Sequence, residues 1–228
     1  MTESRSLSER LAKLPPGRHL VPSDYVAESQ RQRILAAVVE LVDQRGYQKT
    51  TIELIAKTAR VALVTFYENF DGKEDCFLAA FDESVEGARQ VFAELLDQDQ
   101  PWEEQVSAGL QIFLEMVIRE RPRAKLCIVE AQAAGTAGLA RYQATLESAA
   151  PTLREGREFN PRAALLPDGL EVALVGGIAW LVHQRLVTDD VDDLMKLLPE
   201  MLQVTLTPYV GEVEAGRAAD AAQARVAA

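Results

Sequence analysis

The segment DGLEVALVGGIAWLVHQRLV, residues 168–187, constrains this chain more than any other. From Leu170 to Val182 it is apolar nearly all round. A helix lying on a protein surface shows a polar face, and one without such a face has to be covered on both sides. Gly176 and Gly177 fall in its middle, where they let another helix approach closely. The following segment offers Leu194, Leu197, Leu198, Met201 and Val204. Two such helices from each of two chains make a four-helix bundle, so the pair predicts a homodimer, with burial inside one chain as the alternative. The interface candidates are Leu174, Gly177, Leu181, Leu194, Leu198 and Met201. The longest apolar run, Val172–Val182, is shorter than the ~20 residues that a membrane helix needs, and no membrane partner is expected.

The rest of the chain reads as helix too. No stretch alternates apolar and polar residues long enough to make a strand, so the fold class is all-α. Pro15, Pro16, Gly17 and Pro22 mark residues 1–22 as an extended arm. A first helix is expected from about Ser23 to Arg45, with Ile34, Leu35, Val38, Leu41 and Val42 on one face and Gly46 past its end. A short second helix starts at Thr50, which stands three residues before Glu53 in capping-box spacing. A third covers about 62–69, a fourth 72–97, a fifth starts with Pro101, and a sixth runs from Pro122 to about Ala134. The last helix covers about 191–209, where Pro199 either kinks it or marks the start of its main part. The Ala-rich tail, residues 211–228, is expected to be disordered. The expected division is an arm (1–22), a DNA-binding domain (23–75), a ligand-binding and dimerisation domain (76–210) and that tail.

Residues 50–75, TTIELIAKTARVALVTFYENFDGKED, have the spacing of a helix-turn-helix, whose second helix lies in a DNA groove. Ile52, Ile55 and Ala56 face inward from the first helix of the pair, Phe66 and Phe70 from the second. A helical hairpin that merely packs has the same pattern. The stretch from Arg31 to Phe77 carries more: RILAAVVELVDQRGYQKTTIELIAKTARV, then TFYENF, then KEDCF. With Arg45-Gly46-Tyr47, Thr50-Thr51, Ile55-Ala56, Thr65, Tyr67, Phe70 and Lys73-Glu74, it resembles the N-terminal domain of the TetR family of transcriptional regulators. Beyond it the chain resembles the family only in its order of helices.

That resemblance implies a third helix in the major groove and phosphate contacts from Thr50, Thr51, Tyr67 and Lys73. Hydroxyls can donate to phosphate oxygens, and Lys73 opens a helix whose dipole favours anions. The chain departs from the family in the turn. Arg60 stands where the family usually has Gly, and Ala62 where it often has a capping Ser. Leu63 and Val64 replace more polar residues and leave apolar contact with thymine methyls. Val61–Gly72 contains no Lys or Arg, while Glu68 and Asp71 are acidic. The expected DNA-binding set is Thr50, Thr51, Arg60, Ala62, Leu63, Val64, Thr65, Tyr67 and Lys73. Positive charge has to come from Arg31, Arg33, Lys49, Lys57, Arg60 and Lys73, or from Arg5, Arg10, Lys13 and Arg18 in the arm.

Charge is unevenly spread. Residues 1–75 hold 11 basic and 11 acidic side chains; residues 76–228 hold 13 and 24, so all of the formal charge of −11 lies in the later two thirds. A polyanion feels the local field first, so an acidic whole does not exclude double-stranded DNA at the N-terminal end. Cys76 and Cys127 have no metal-like spacing and imply no disulfide; with no signal pattern at the N-terminus, a cytoplasmic protein is expected. No metal motif and no carboxylate pair or nucleophile constellation is present in the sequence, so neither cofactor nor catalysis is expected. The resemblance implies a cavity for a small, largely apolar effector, with Trp102, Phe113, Met116, Val117, Cys127, Tyr142 and Trp180 as candidate lining, although each of these residues also suits ordinary core packing. The cluster Arg119, Arg121, Arg123 and Lys125 reads as a solvated face or as a contact for an anionic ligand. The function implied is a ligand-responsive, homodimeric operator-binding regulator, most simply a repressor. The rival is a small-molecule-binding protein or enzyme on the same fold, without operator recognition.

Overall fold

The computed structural model describes residues 23–97, 99–160, 163, 165–191 and 193–226. The arm, with Arg5, Arg10, Lys13 and Arg18, lies outside them. Among the described residues the regular structure is helical throughout. α1 (Ser23–Arg45) ends where Gly46 turns left-handed at φ 79° and returns its N–H to Val42. α2 (Ile52–Ala59) and α3 (Leu63–Asn69) form the short pair. α4 (Lys73–Leu95) carries the chain away from them. Ile34, Val38 and Val42 of α1 meet Ile55 and Ala56 of α2, Phe66 of α3, and Phe77 and Phe81 of α4 in a first core. Phe66, Phe77 and Phe81 are each at most 2% exposed, and full burial of such a ring contributes roughly 1.5–3 kcal/mol.

α5 (Trp102–Arg119) and α6 (Arg121–Lys125) follow. The sequence predicts one regular helix over 122–134. Instead, α6 passes into a π-helical turn, Leu126–Glu130, and then into a 3-10 turn, Ala131–Ala134, before α7 (Gly135–Arg154). Two cores meet at this irregularity. Leu126 belongs to the first core, Ile128 to the second, and Cys127 packs against both. Changing helical pitch in mid-segment lets consecutive side chains serve two cores that a single α-helical stripe would not reach together.

The second core lies among α5, α8 (Leu170–Val187) and α9 (Leu198–Val210) and includes Trp102, Leu114, Val182, Leu186, Leu202 and Tyr209. A 3-10 turn, Leu194–Leu197, precedes α9, and Pro199 sits in its first turn, where the missing N–H is harmless. The last of the sequence's expectations fails. Residues 212–226 are a helix, α10, not a disordered tail. Its Ala215, Ala219 and Ala222 recur every third or fourth position and are buried, Ala215 and Ala222 in the second core, which tethers a segment that composition alone leaves free.

α8 is apolar enough, at 18 residues with mean hydropathy 1.3, to meet the length and composition of a membrane span, contrary to the reading of Val172–Val182 alone. One side of it is fixed in the protein by a buried ion pair. Glu171 is fully buried, accepts hydrogen bonds from Arg157 at 2.7 and 3.0 Å, and accepts a third from the Tyr209 hydroxyl at 3.1 Å.

Candidate nucleic-acid interface

α2 and α3 place the predicted DNA-binding residues according to how each helix begins. The cap of α2 is Thr51, whose hydroxyl accepts from the Leu54 N–H at 3.3 Å. This corrects the capping box expected from Thr50 and Glu53. Thr50 is 1% exposed and its hydroxyl donates to the Gly46 carbonyl at 2.9 Å, so it is a structural residue of the turn and not a free phosphate donor. α3 starts at Ala62 without any side-chain cap.

α3 is two-faced. Phe66 and Phe70 are buried 5.8 Å apart and hold its inner side. Ala62, Leu63, Val64, Tyr67 and Glu68 form its exposed side, with Leu63 at 43%, Val64 at 63% and Tyr67 at 54% exposure. Thr65 is half-buried, and its carbonyl takes the Asn69 amide. In α2 and the turns that flank it, Lys49, Thr51, Lys57 and Arg60 are exposed. Arg60 is the C-cap of α2 in the left-handed region, at φ 56° and ψ 44°, as its place in the turn requires. Its carbonyl lies 3.5 Å from Nη1 of Arg33. Arg31 stacks over the Phe70 ring at 4.6 Å.

Lys73, at the start of α4, is half-buried and held from two sides by Tyr47. Its Nζ donates to the Tyr47 carbonyl at 3.1 Å and lies 4.1 Å from the centre of the Tyr47 ring. The ring in turn meets Phe77 edge-on at 5.0 Å. Burial, with the charge of Glu74, pushes the Tyr47 hydroxyl above its ordinary value, so it stays neutral.

The basic cluster of α5 and α6 is neither a solvated face nor an open anion site. Arg121 and Lys125 both bridge to Asp43 of α1, and Arg123 bonds Glu83 and Ser84 of α4. Only Arg119 is largely exposed. Three cations spaced two apart are spent on joining the two halves of the chain, which the sequence does not reveal because their acidic partners lie 40 to 82 positions away.

The candidate effector residues do not converge on one enclosed space. Val117 is buried in the second core, with Phe113 packed against it, and Met116 is half-buried. Tyr142 packs on the first core. Trp102 is 4% exposed and stacks with Phe159 beside an open recess of about 510 Å³. A second recess of about 260 Å³ lies between α4 and α7, where Arg141 pairs with Asp82 at 2.9 Å. Burial pushes the Cys127 thiol up to about 12, which makes it an inert packing group. Trp180 lines neither of these recesses: it is 59% exposed on α8, stacked on His183.

Trp180 belongs to a long uncovered strip. Val172, Ala173, Gly177, Leu181, Gln184 and Val187 of α8 are exposed with it, and Val204 of α9 is 59% exposed. Space for a side chain on Gly176 and Gly177 is open. Of the six interface candidates, Gly177 and Leu181 lie on this strip and Leu174 is half-buried. Leu194, Leu198 and Met201 are at most 2% exposed inside the second core, so they cannot meet another chain. They face inward because α9 lies over α5 and carries α10 along its flank.

Residues 34–80 match the family model described as bacterial regulatory proteins, tetR family. An uncharacterised HTH-type transcriptional regulator of Bacillus subtilis, YhgD, is 33% identical over 86 residues, which is 38% of this chain and 45% of that protein. The chain thus spans less than half the length of the curated relatives it matches. Among solved structures, the fatty acid degradation regulator FadR of Bacillus halodurans superposes with a TM-score of 0.69 at 20% identity, over 83% of this chain and 97% of that one. FadR of Bacillus subtilis, solved in complex with stearoyl-CoA, superposes with a TM-score of 0.64 at 21% identity, over 78% and 98%. These likenesses extend the shared fold over the helices that follow α4.

Proposed function

We propose that this chain, whose N-terminal domain is of the tetR family of bacterial regulatory proteins, is a cytoplasmic, ligand-responsive transcriptional regulator that binds operator DNA as a homodimer. The exposed side of α3 carries the reading. Phe66 and Phe70 fix the helix from below, so Leu63, Val64 and Tyr67 project as a short apolar strip with cations at its margins. Such a strip can meet thymine methyls in the major groove while Lys49, Thr51, Arg60 and Lys73 meet phosphates.

The dimer is built on the α8 strip. The charge-poor surface from Val172 to Val187 needs a cover of like chemistry, and the open ground over Gly176 and Gly177 admits a second α8. Nδ1 of His183, buried and without a hydrogen-bond partner within the chain, lies next to that strip. A dimer sets two α3 helices at one spacing, as a two-fold operator requires. A small, largely apolar effector that favours another spacing lowers operator affinity by its differential affinity for the two states, which is the logic of a repressor. The role needs no chemical step.

A selection from random duplexes tests the reading. The protein is expected to recover one two-fold sequence family, with affinity falling steeply as salt rises. Recovery of no sequence family above background sinks it.

A further inference from the structure

We infer that Glu130 is a positioning residue for DNA binding: from the C-terminal half of the chain it holds the turn that holds Lys73. The inference rests on the operator-binding reading above and concerns how the phosphate-contacting groups are set.

Glu130 closes the π-helical turn at the joint of the two cores. Leu126 and Ile128, buried in one core each, leave that turn no freedom to slide. Its carboxylate reaches the end of α1, where Oε2 accepts the Tyr47 N–H at 2.8 Å. Gly46 makes the approach possible, because a side chain there would stand 3.3 Å from Oε1 and its φ of 79° suits glycine. The Tyr47 peptide is then fixed at both ends. Its N–H is held by Glu130, and its carbonyl receives the Lys73 ammonium at 3.1 Å and the Thr50 N–H at 3.2 Å. Thr50 leads directly into the cap of α2, so one carboxylate from the far domain sets Lys73, Thr51 and the start of the helix-turn-helix together. Gln48 adds a second tie to the same segment, donating to the Ala133 carbonyl at 3.0 Å.

The sign of the effect separates positioning from simple charge. A carboxylate near a polyanion repels it, so on electrostatic grounds every substitution that removes the charge of Glu130 tightens DNA binding. Positioning gives the opposite order. Glu130→Asp keeps the charge but withdraws the acceptor by one methylene, and Glu130→Gln loses the charge but keeps an acceptor in place. The pair therefore exchanges what is kept.

The experiment titrates a labelled duplex, recovered by the wild-type protein from a random library, against wild type, Glu130→Asp, Glu130→Gln, Lys73→Ala and the double variant Glu130→Asp/Lys73→Ala across a KCl series, with melting curves and amide hydrogen exchange at Tyr47. Glu130→Asp is expected to weaken binding about tenfold, to flatten the salt slope by about one unit as Lys73→Ala does, and to add nothing in the Lys73→Ala background. Tyr47 exchange should quicken in the same variant. Glu130→Gln should bind within about threefold of wild type or more tightly, with Tyr47 still protected. Wild-type affinity and slope in Glu130→Asp, or full additivity with Lys73→Ala, overturns the inference. A melting point lowered equally in both Glu130 variants with equal loss of affinity also overturns it, because the contact then acts on stability alone. Should wild type itself recover no duplex, the operator reading falls instead, and Tyr47 exchange in the two variants still decides whether Glu130 holds the turn.

Discussion

Among the described residues two apolar strips stand exposed, on α3 and on α8, and they differ in what surrounds them. On α3 the strip is one turn long, Leu63, Val64 and Tyr67, with Lys49, Lys57 and Arg60 exposed nearby. On α8 it runs for more than four turns, from Val172 to Val187, over two glycines, with no charged residue between Glu171 and Arg185. A short apolar strip with cationic margins fits a groove edged by phosphates. A long uncharged one fits a second protein surface of its own kind. Exposure alone assigns neither role; length and the charge of the rim do.

The largest effect is expected where the comparison is pushed inward, at the ion pair that secures the buried side of α8. Arg157→Ala removes the two shortest hydrogen bonds to a fully buried carboxylate and leaves Arg154, at 3.8 Å, as its remaining cation, so it should be the most destabilising of the variants. The pH dependence gives the cause. Arg157's hydrogen bonds, followed by backbone and Tyr209 hydrogen bonds and the charge of Arg157, hold the Glu171 carboxyl below its ordinary value of 4.5 against the effect of burial. A carboxyl lowered by folding adds stability above its unfolded value and loses it as pH falls through the folded one. Without Arg157 the largest lowering influence is gone and burial is opposed only by the backbone and Tyr209 hydrogen bonds and by Arg154, so less of that stability survives at neutral pH. The deficit of the variant should therefore be large at pH 7 and shrink below pH 4.5, measured by denaturant unfolding. A deficit that is constant with pH would leave Glu171 out of the account.

The outer side of α8 is tested by Gly177→Glu. Nothing lies within 4 Å of a side chain built there, so the single chain should fold as before. A charge in the middle of the strip should abolish the dimer in sedimentation and weaken operator binding about hundredfold, the order of gain that joining two half-site contacts supplies. A stable dimer in this variant would move the interface elsewhere. Lys73→Ala takes the comparison to the other strip. It should weaken every duplex by a similar factor and flatten the salt slope by about one unit. A changed sequence preference at an unchanged slope would make Lys73 a reader of bases.

The strips were unequally legible in the sequence. The α3 strip follows from spacing, because Ile55, Phe66 and Phe70 all lie within one short stretch whose contacts are local. The sequence shows that the α8 strip needs a cover, but not that Leu194, Leu198 and Met201 are buried within their own chain. Leu194, Leu198 and Met201 share the helical spacing of interface residues, and spacing cannot say whether a stripe meets its own chain or another. The burying contacts come from α5, about 80 positions earlier in sequence, and from α10, which follows α9 directly but whose composition of alanine and charge hides it as a helix. The joint at Leu126–Glu130 was invisible for the same reason. A π turn is stabilised by the two cores it serves, and neither core is visible from LCIVE alone.

The smallest effect concerns Arg60, which ties the backbone of the α2–α3 turn to the cationic rim of the α3 strip. Arg60 sits at φ 56° and ψ 44°, where a residue with a Cβ is held at a cost of about 1 kcal/mol that glycine does not incur. Its backbone N–H still closes α2 by bonding the carbonyls of Ala56 and Lys57, so the conformation is set by the cap and not by the side chain. Its side chain is exposed beside a helix that offers no cation of its own. Arg60→Gly is therefore expected to raise stability by about 1 kcal/mol and to weaken operator binding with a shallower salt slope. Arg60→Ala keeps the backbone strain and loses only the charge. It should weaken binding to the same degree while leaving the unfolding midpoint where it was. Melting curves and a salt titration on both variants read the two effects separately. Equal affinity of both variants with wild type would show that the rim of the α3 strip ends before Arg60, at Lys49, Lys57 and Lys73.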